Sequence, residues 1–538
     1  MITWRFYFWY FRDRYCSLYS PQLCWGLNGR SVTAENARLK DRIPGCQETI
    51  SSLRSSLKAA RKPKDLQRAD YEELLAQKDA AIKELENRLA HELALKGHDG
   101  TNTGTPASQT PIGKKKAIPN SRRNTGKKKG GQPGHEKHIL TPPQASTVTE
   151  TVEHGAGDDG FACPDCGSEN FAPTGESETK YEYDIEVKVV RREHIYYYYR
   201  CLDCGTQFRS MIEPQLKEKC QYGSMVQAVA LSLLDTVNAP VNKTGMFFAG
   251  MTAGELAPCD GYISKLQNRA GQTLVQFCEE LRLLMITRTL LYWDDTVIMI
   301  NTARACFRFY GDETIAYYTA HLHKDMESLD DDSVPALLTA DTKIMHDHNK
   351  VNYNDKYSFD NIECNQHLQR DCQKNSNDTC HKWSDDLKEH ISRTIKDRKD
   401  AIDNGASAFD DAYIKKFNRK LDKILKSGWK ENLKDPSNYG AHFEETLLKR
   451  IEEYRRNYFL WLEDFTLPTT NNLSERGLRG IKSHMKISGQ FESEKAAQNF
   501  ARIKTYIETC RRNRINEILA LQRLCEGNPY TVEEIFTH

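Results

Sequence analysis

The chain has 538 residues, with 76 Lys and Arg against 75 Asp and Glu, and 16 Cys. This balance excludes a globally basic protein, so affinity for nucleic acid must come from local clusters of positive charge. No stretch stays apolar over the roughly 20 residues that a membrane-spanning helix needs, so we expect no membrane segment. The length suffices for several domains, and the scattered Cys favour a reduced cytoplasmic protein over a disulfide-stabilised one.

The N-terminal part of the chain contains two segments of different composition. Residues 1–32 are rich in aromatic side chains and show no helical or strand period. We interpret them as a leader that is non-native or disordered, with a natural start near Thr33. Residues 33–97 predict a helical segment with a seven-residue apolar repeat at Leu75, Ile82 and Leu89. The repeat is typical of a short coiled coil, or of a single amphipathic helix that packs on the body.

A basic linker follows over residues 98–140. Its Gly, Ser, Thr, Asn and Pro content cannot support a hydrophobic core, so we expect it to be disordered. Its cations occur in short runs, of which one is Lys127, Lys128 and Lys129. Such runs suit contacts with DNA phosphates, although a merely solvated linker has the same composition.

Two Cys-x-x-Cys pairs, each followed by Gly, are separated by 34 residues: Cys163 with Cys166, and Cys201 with Cys204. Four thiolates at this spacing predict one structural Zn²⁺ in a zinc-ribbon domain over residues 141–214. A redox dithiol is the alternative. The β-branched and aromatic stretches at 181–189 and 194–200 predict a hairpin that carries the second pair.

After a helical connector at residues 215–288, residues 289–380 predict the first part of an α/β core. Strands are expected at 289–300, 305–310 and 315–322, then a helix at 333–339 and a strand that ends at Asp347. Acids on the first and fourth strands of this order are typical of RNase H-like folds, in which those strands are neighbours. Asp294 and Asp347 are therefore expected to meet. Asp341, at the entry of the fourth strand, is the competing second acid.

Residues 381–462 predict an all-helical insertion, and residues 463–538 the C-terminal part of the core. Glu475 lies on a predicted helix among cations that include Arg476, Arg479 and Lys486. Ionised carboxylates can hold a hard divalent cation, and the cations suit DNA. The alternative is an ordinary solvated surface helix. We thus predict a multidomain α+β protein with a helical N-terminal segment, a zinc ribbon and an RNase H-like core.

The longest recognisable motif is Thr-Asn-Asn-Leu-Ser-Glu-Arg-Gly-Leu-Arg, followed by Lys-Ile-Ser-Gly-Gln-Phe. Upstream lie Trp-Asp-Asp-Thr, Met-His-Asp-His and Cys-Asn-Gln-His-Leu-Gln-Arg. Together they closely resemble the motifs of the insertion sequence 66 family of transposases. The resemblance implies that Asp294, Asp347 and Glu475 form the family's DDE triad, with Asp295 where other members have Glu. His348 or His367 then either orients phosphate or water, or only packs.

The resemblance implies the transposase of a bacterial insertion sequence, a mobile element. It implies a DNA-binding enzyme, dependent on Mg²⁺ or Mn²⁺, that cleaves transposon-end DNA and transfers the strand to target DNA. Expected partners are DNA, further copies of the chain on that DNA, and accessory proteins of the same element. We expect a cytoplasmic, nucleoid-associated protein. The alternatives are an RNase H-like nuclease without strand transfer, and a catalytically inert DNA-binding regulator.

Overall fold

The structure is a computed structural model that describes residues 47–56, 68–97, 140–154 and 162–537. The predicted leader at 1–32 and the cations Lys127, Lys128 and Lys129 lie outside the described residues, and the predictions about them stay predictions. The chain divides into two compact units, a smaller one of Pro119–Ile195 with Met246–Ala257 and a larger one of Met1–Ile118, Tyr196–Gly245 and Pro258–His538. Within the described residues, no helix has the length and apolarity needed to cross a membrane.

The predicted zinc-ribbon hairpin is wrong in its first strand. Residues 181–189 form no strand and are almost entirely exposed. Instead, β1 (Tyr198–Arg200) pairs antiparallel with β2 (Gln207–Arg209), which follows the second Cys pair directly. The backbone N–H of Cys201 donates to the carbonyl of Thr206 and closes the turn between these strands. Closing so short a loop costs less chain entropy than pairing with a more distant segment.

The predicted heptad seam lies on a helix that contacts the body of the larger unit. Helix α1 spans residues 47–56 and α2 spans Arg68–Gly97. Ile82 and Leu85 of α2 are buried, and Lys83 forms an exposed ion pair of 3.5 Å with Asp435. The apolar seam thus serves an intramolecular contact. Self-association through it stays a prediction.

The helices between β2 and the central sheet are α3 (Ser224–Asp235), α4 (Val241–Met251), α5 (Asp260–Thr273) and α6 (Val275–Met285). The strands are β3 (Leu290–Ile300), β4 (Ala303–Gly311), β5 (Ala316–His321), β6 (Lys343–His346) and β7 (Asp360–Glu363). The five strands form one mixed sheet in the order β5-β4-β3-β6-β7. Strands β3, β4 and β5 form an antiparallel meander, and β6 and β7 run parallel to β3. The first and fourth strands are therefore neighbours, as the sequence predicts.

Two elements differ from the sequence-based expectation. The helix expected at 333–339 lies earlier, at α7 (Met326–Asp331), because Asp325 and Ser328 form a capping box that starts it there. Pro335–Leu337 makes only a single 3₁₀ turn. Strand β7 was not predicted, because its four residues are mostly polar and too few to show an alternating pattern.

The helices of the 381–462 segment and its borders pack around buried aromatic and aliphatic side chains, with Trp383 and Trp461 at the centre. They are α8 (Asn365–Thr379), α9 (Trp383–Asp403), α10 (Asp411–Lys434), α11 (Ala441–Glu453) and α12 (Arg455–Phe459). The chain continues with α13 (Asn472–Ser488), α14 (Glu494–Arg512), α15 (Glu517–Glu526) and α16 (Val532–Thr537).

Helices α13 and α14 cover one face of the sheet. Leu478, Ile481 and Phe500 pack against strand side chains that include Ile298 and Phe307. Gly477 lies where α13 comes closest to the sheet. A Cβ there would stand 3.1 Å from a ring carbon of Phe309 and 3.2 Å from the Tyr318 hydroxyl. The glycine thus permits the close docking that holds the first turn of α13 against the strands.

Candidate active site

The two adjacent acids of β3 lie on opposite faces of the sheet, because side chains alternate along a strand. Asp294 shares the face of Ile298 and Ile300, which α13 and α14 cover. Asp295 is on the other face, where its carboxylate pairs with Lys324 at 2.6 Å. Burial raises the pKa of the Asp294 carboxyl to about 8, and the charges of Asp347 and Asp295 add to that shift.

The register of β3 and β6 sets Asp347 beside Asp294. Leu290, Leu291 and Tyr292 are partners of Lys343, Ile344 and Met345. The same register, extended by two residues, makes Asp294 level with Asp347. Asp341 precedes Asp347 by six residues and so lies roughly 20 Å away along an extended chain. The register therefore favours Asp347 as the second acid.

One histidine connects Asp347 to Glu475. His367, in the first turn of α8, has its Nδ1 2.8 Å from Asp347 Oδ1 and its Nε2 3.6 Å from Glu475 Oε1. Arg370, one turn further along α8, places Nη1 3.5 Å from the same Glu475 oxygen. Asp347, His367 and Glu475 thus form a continuous chain of charged groups beside Asp294.

The charge of His367 is set by two opposing effects. Burial lowers the pKa of the imidazole, but the contacts with Asp347 and Cys364 outweigh it and raise the pKa to about 10. Arg370 Nη1 also lies 3.1 Å from His367 Nε2 and can donate a hydrogen bond to it when that nitrogen carries no proton. The contact to Asp347 is close but not in line, and neither Asp347 Oδ1 nor His367 Nδ1 has a hydrogen-bond partner in the described part of the chain. His348 differs, because its Nδ1 lies 2.7 Å from the buried carboxylate of Glu363, away from the triad.

Asn471, the N-cap residue of α13, fixes the position of Glu475. It is fully buried, and its Nδ2 donates to the carbonyl of Trp293, the residue before Asp294, at 3.0 Å. Its backbone N–H donates to Cys364 Sγ at 3.2 Å, just before α8 begins. Asn471 also accepts a hydrogen bond from Ser474. The links of Asn471 to β3 and α8 are not local, so the sequence alone does not predict them.

The cations of α13 lie on exposed positions. Arg476, Arg479 and Lys486 were predicted to bind DNA, and each is exposed. Lys482 is also exposed, and its charge acts against the raised pKa of Asp294. Glu475, Arg479, Lys482 and Lys486 are spaced four, three and four residues apart, so they share one helical face. This face leads away from the acids as a line of positive charge.

Both Cys pairs adopt the same local turn, each within its own unit. Cys163 N–H donates to Ser168 O, and Gly167 N–H donates back to Cys163 O. Cys201, Thr206 and Gly205 repeat the pattern. Hydrogen bonds from Thr206 lower the pKa of the Cys204 thiol to about 7, and those of Cys166 lower that of Cys163. Such turns suit thiolate ligands. That one Zn²⁺ joins all four stays a prediction.

Residues 250–499, which contain all three acids, match a family model described as Transposase IS66 family. The match confirms the resemblance predicted from the motifs. No match was found among curated proteins or among solved structures.

Proposed function

We propose that the chain is a DDE-type DNA transposase, because residues 250–499 match the model of the IS66 family of transposases. It binds the ends of its insertion sequence, cleaves the DNA there and joins the 3′-hydroxyl to target DNA. The observation that carries the proposal is the arrangement of the acids. Asp347, the residue after β6, comes level with Asp294 when the register of β3 and β6 is extended by two residues, and His367 contacts both Asp347 and Glu475.

An RNase H-like core is part of the proposal. The support is a five-stranded sheet with an antiparallel meander on one side of β3 and two parallel strands on the other. Its first strand carries Asp294, Asp347 directly follows its fourth, and a helix packed on the sheet carries Glu475. Three acids that are distant in sequence thereby lie on one face of the sheet.

The donor set fits Mg²⁺ or Mn²⁺. Asp294 is half-buried and close enough to Asp347 and Asp295 for their charges to affect it, and Asp347 Oδ1 accepts no hydrogen bond within the described ranges. A divalent cation compensates clustered carboxylate charge, and we propose that Asp294, Asp347 and Glu475 hold it. When bound, two such ions would supply activation of the attacking oxygen and stabilisation of the leaving one. His367 keeps Asp347 and Glu475 in their relative positions.

DNA phosphates are the proposed partners of the exposed cations. Arg479, Lys482 and Lys486 make no ion pair among the residues that the structure describes, so their charges are free to meet a backbone. The helix face that these cations share with Glu475 would bind the DNA strand along a path that leads to the acids. Arg476 and the linker cations Lys127, Lys128 and Lys129 add sequence-independent affinity, and one structural Zn²⁺ at the four Cys completes the DNA-binding region. Assembly on DNA and accessory proteins belong to the same proposal.

The test is a reaction on labelled insertion-sequence end DNA with Mg²⁺. The wild-type chain should give cleaved ends and strand-transfer products, and Asp347→Asn should bind the DNA but give no more product than a reaction without Mg²⁺. Asp341 is exposed and is the matched control. Asp341→Asn should stay within about threefold of wild type, since such surface changes shift energies by only ~0.5 kcal/mol.

The outcomes separate the alternatives. Cleavage without joined product would indicate a nuclease, and binding without cleavage would indicate a regulator. An active Asp347→Asn together with a folded but inactive Asp341→Asn would refute the register assigned to β6.

A further inference from the structure

Three potential metal ligands of different chemical type converge beside the triad. Asp347 Oδ1, Cys364 Sγ and His367 Nδ1 all lie within 4.8 Å of one another. We propose that these three atoms bind one thiophilic divalent cation of the zinc class, at a site that shares Asp347 with the catalytic ion. This site is separate from the predicted Zn²⁺ of the Cys-x-x-Cys pairs.

The spacing suits a single ion. Ligand bonds to Zn²⁺ of about 2.0–2.3 Å place the ligand atoms of a tetrahedral site roughly 3–4 Å apart. The 2.8 Å between Asp347 and His367 must therefore widen slightly. Both side chains can make that adjustment, because about a third of each is exposed. Cys364 is only 1% exposed and provides the fixed ligand.

A cation would bind Asp347 Oδ1 and His367 Nδ1 in place of the proton that lies between them in the metal-free chain. Asp347 Oδ1 and His367 Nδ1 are buried atoms, and neither has a hydrogen-bond partner among the described residues. Buried polar atoms without an aligned hydrogen bond cost free energy, and a shared cation would satisfy both at once. An ordinary His–Asp pair would instead align the N–H with the carboxylate oxygen.

The surrounding groups have the arrangement expected around metal ligands. The backbone N–H of Asn471 donates to Cys364 Sγ at 3.2 Å, which stabilises a thiolate. The other nitrogen of His367, Nε2, lies 3.1 Å from Arg370 Nη1 and 3.6 Å from Glu475 Oε1. Contacts to the second nitrogen of a metal-bound histidine fix the orientation of its ring.

The ligand types select the cation. A thiolate and an imidazole favour Zn²⁺ over Mg²⁺, which takes oxygen ligands. Three protein ligands leave a fourth position open. The functional consequence rests on the proposed function: Asp347 cannot serve both ions in full, so Zn²⁺ at this site should displace the catalytic cation and inhibit cleavage.

Zinc content after equilibrium dialysis of the full chain tests the proposal. Cys364→Ser and His367→Gln, which alter different ligands of one ion, should each bind one Zn²⁺ fewer per chain than wild type. Cys372→Ser is the matched control, since Cys372 is also fully buried but lies outside the cluster. It should bind as much Zn²⁺ as wild type.

Undiminished Zn²⁺ in Cys364→Ser, or an equal loss in Cys372→Ser, would overturn the proposal. If the variants fail to fold, Co²⁺ is added to wild-type chain whose Cys pairs are already loaded with Zn²⁺. A new thiolate-to-Co²⁺ charge-transfer band supports the site, and its absence overturns it.

Loss of one Zn²⁺ in a chain that never cleaves DNA would leave this site standing and refute the proposed function. DNA cleavage by a chain that binds no Zn²⁺ beyond that of the Cys pairs would support the proposed function and refute this site.

Discussion

Replacement of Asn471 by Ala should uncouple the helix of Glu475 from the strand of Asp294. The change removes the 3.0 Å hydrogen bond to the carbonyl of Trp293 and leaves that buried oxygen without its partner. An unsatisfied buried group costs about 1–3 kcal/mol. Because the free energy of unfolding of a domain is about 5–15 kcal/mol, the variant should remain folded. A shift of about 1 Å in a catalytic group lowers rates by about 10²-fold, and we expect a loss of that order in DNA cleavage.

The assay compares single-turnover cleavage, end-DNA binding and thermal unfolding of the full chain. The single-turnover cleavage rate should fall while DNA affinity stays near wild type, since Asn471 is fully buried and has no surface to offer to DNA. Asn472→Ala is the matched control, because Asn472 is the exposed neighbour at the start of α13 and should leave all three readouts unchanged. Asn471→Asp keeps the shape but replaces the donor by an acceptor, so it should not restore activity. Full activity in Asn471→Ala or in Asn471→Asp would refute this role for the hydrogen bond.

Two further predictions concern the cysteine pairs and the cations of α13. Cys201→Ser should lower the zinc content by about one ion per chain, whereas Cys220→Ser, an exposed thiol outside both pairs, should not; equal zinc in the two variants would contradict the shared site. Lys482→Gln should weaken DNA binding and reduce the slope of log affinity against log salt by about 0.9, the value for one lost phosphate contact. Lys399→Gln, an exposed lysine on α9, is the control, and equal slopes in the two variants would show that Lys482 touches no phosphate.

The sequence predicted the sheet meander well because its strands are long and rich in β-branched and aromatic residues. The same reasoning missed β7, whose four residues include three polar ones. It also placed a helix near Pro335, where the chain makes only one 3₁₀ turn. The helix that does form begins at a capping box, which is a local signal that sequence reasoning can use. The hairpin error at 181–189 arose because strand propensity does not say which segment supplies the partner.

The three acids differ in how far sequence alone can place them, and the difference follows from how each is held. Asp294 and Asp347 are positioned by the parallel register of β3 and β6, and a shift of one residue would turn a whole buried face to the opposite side. The order of strands is therefore enough to bring them together. Glu475 is positioned by the docking of α13, which depends on Asn471 and on the missing side chain of Gly477. Neither contact has a periodic signature, so the resemblance to a family, and not the pattern of the chain, was needed to identify the third acid.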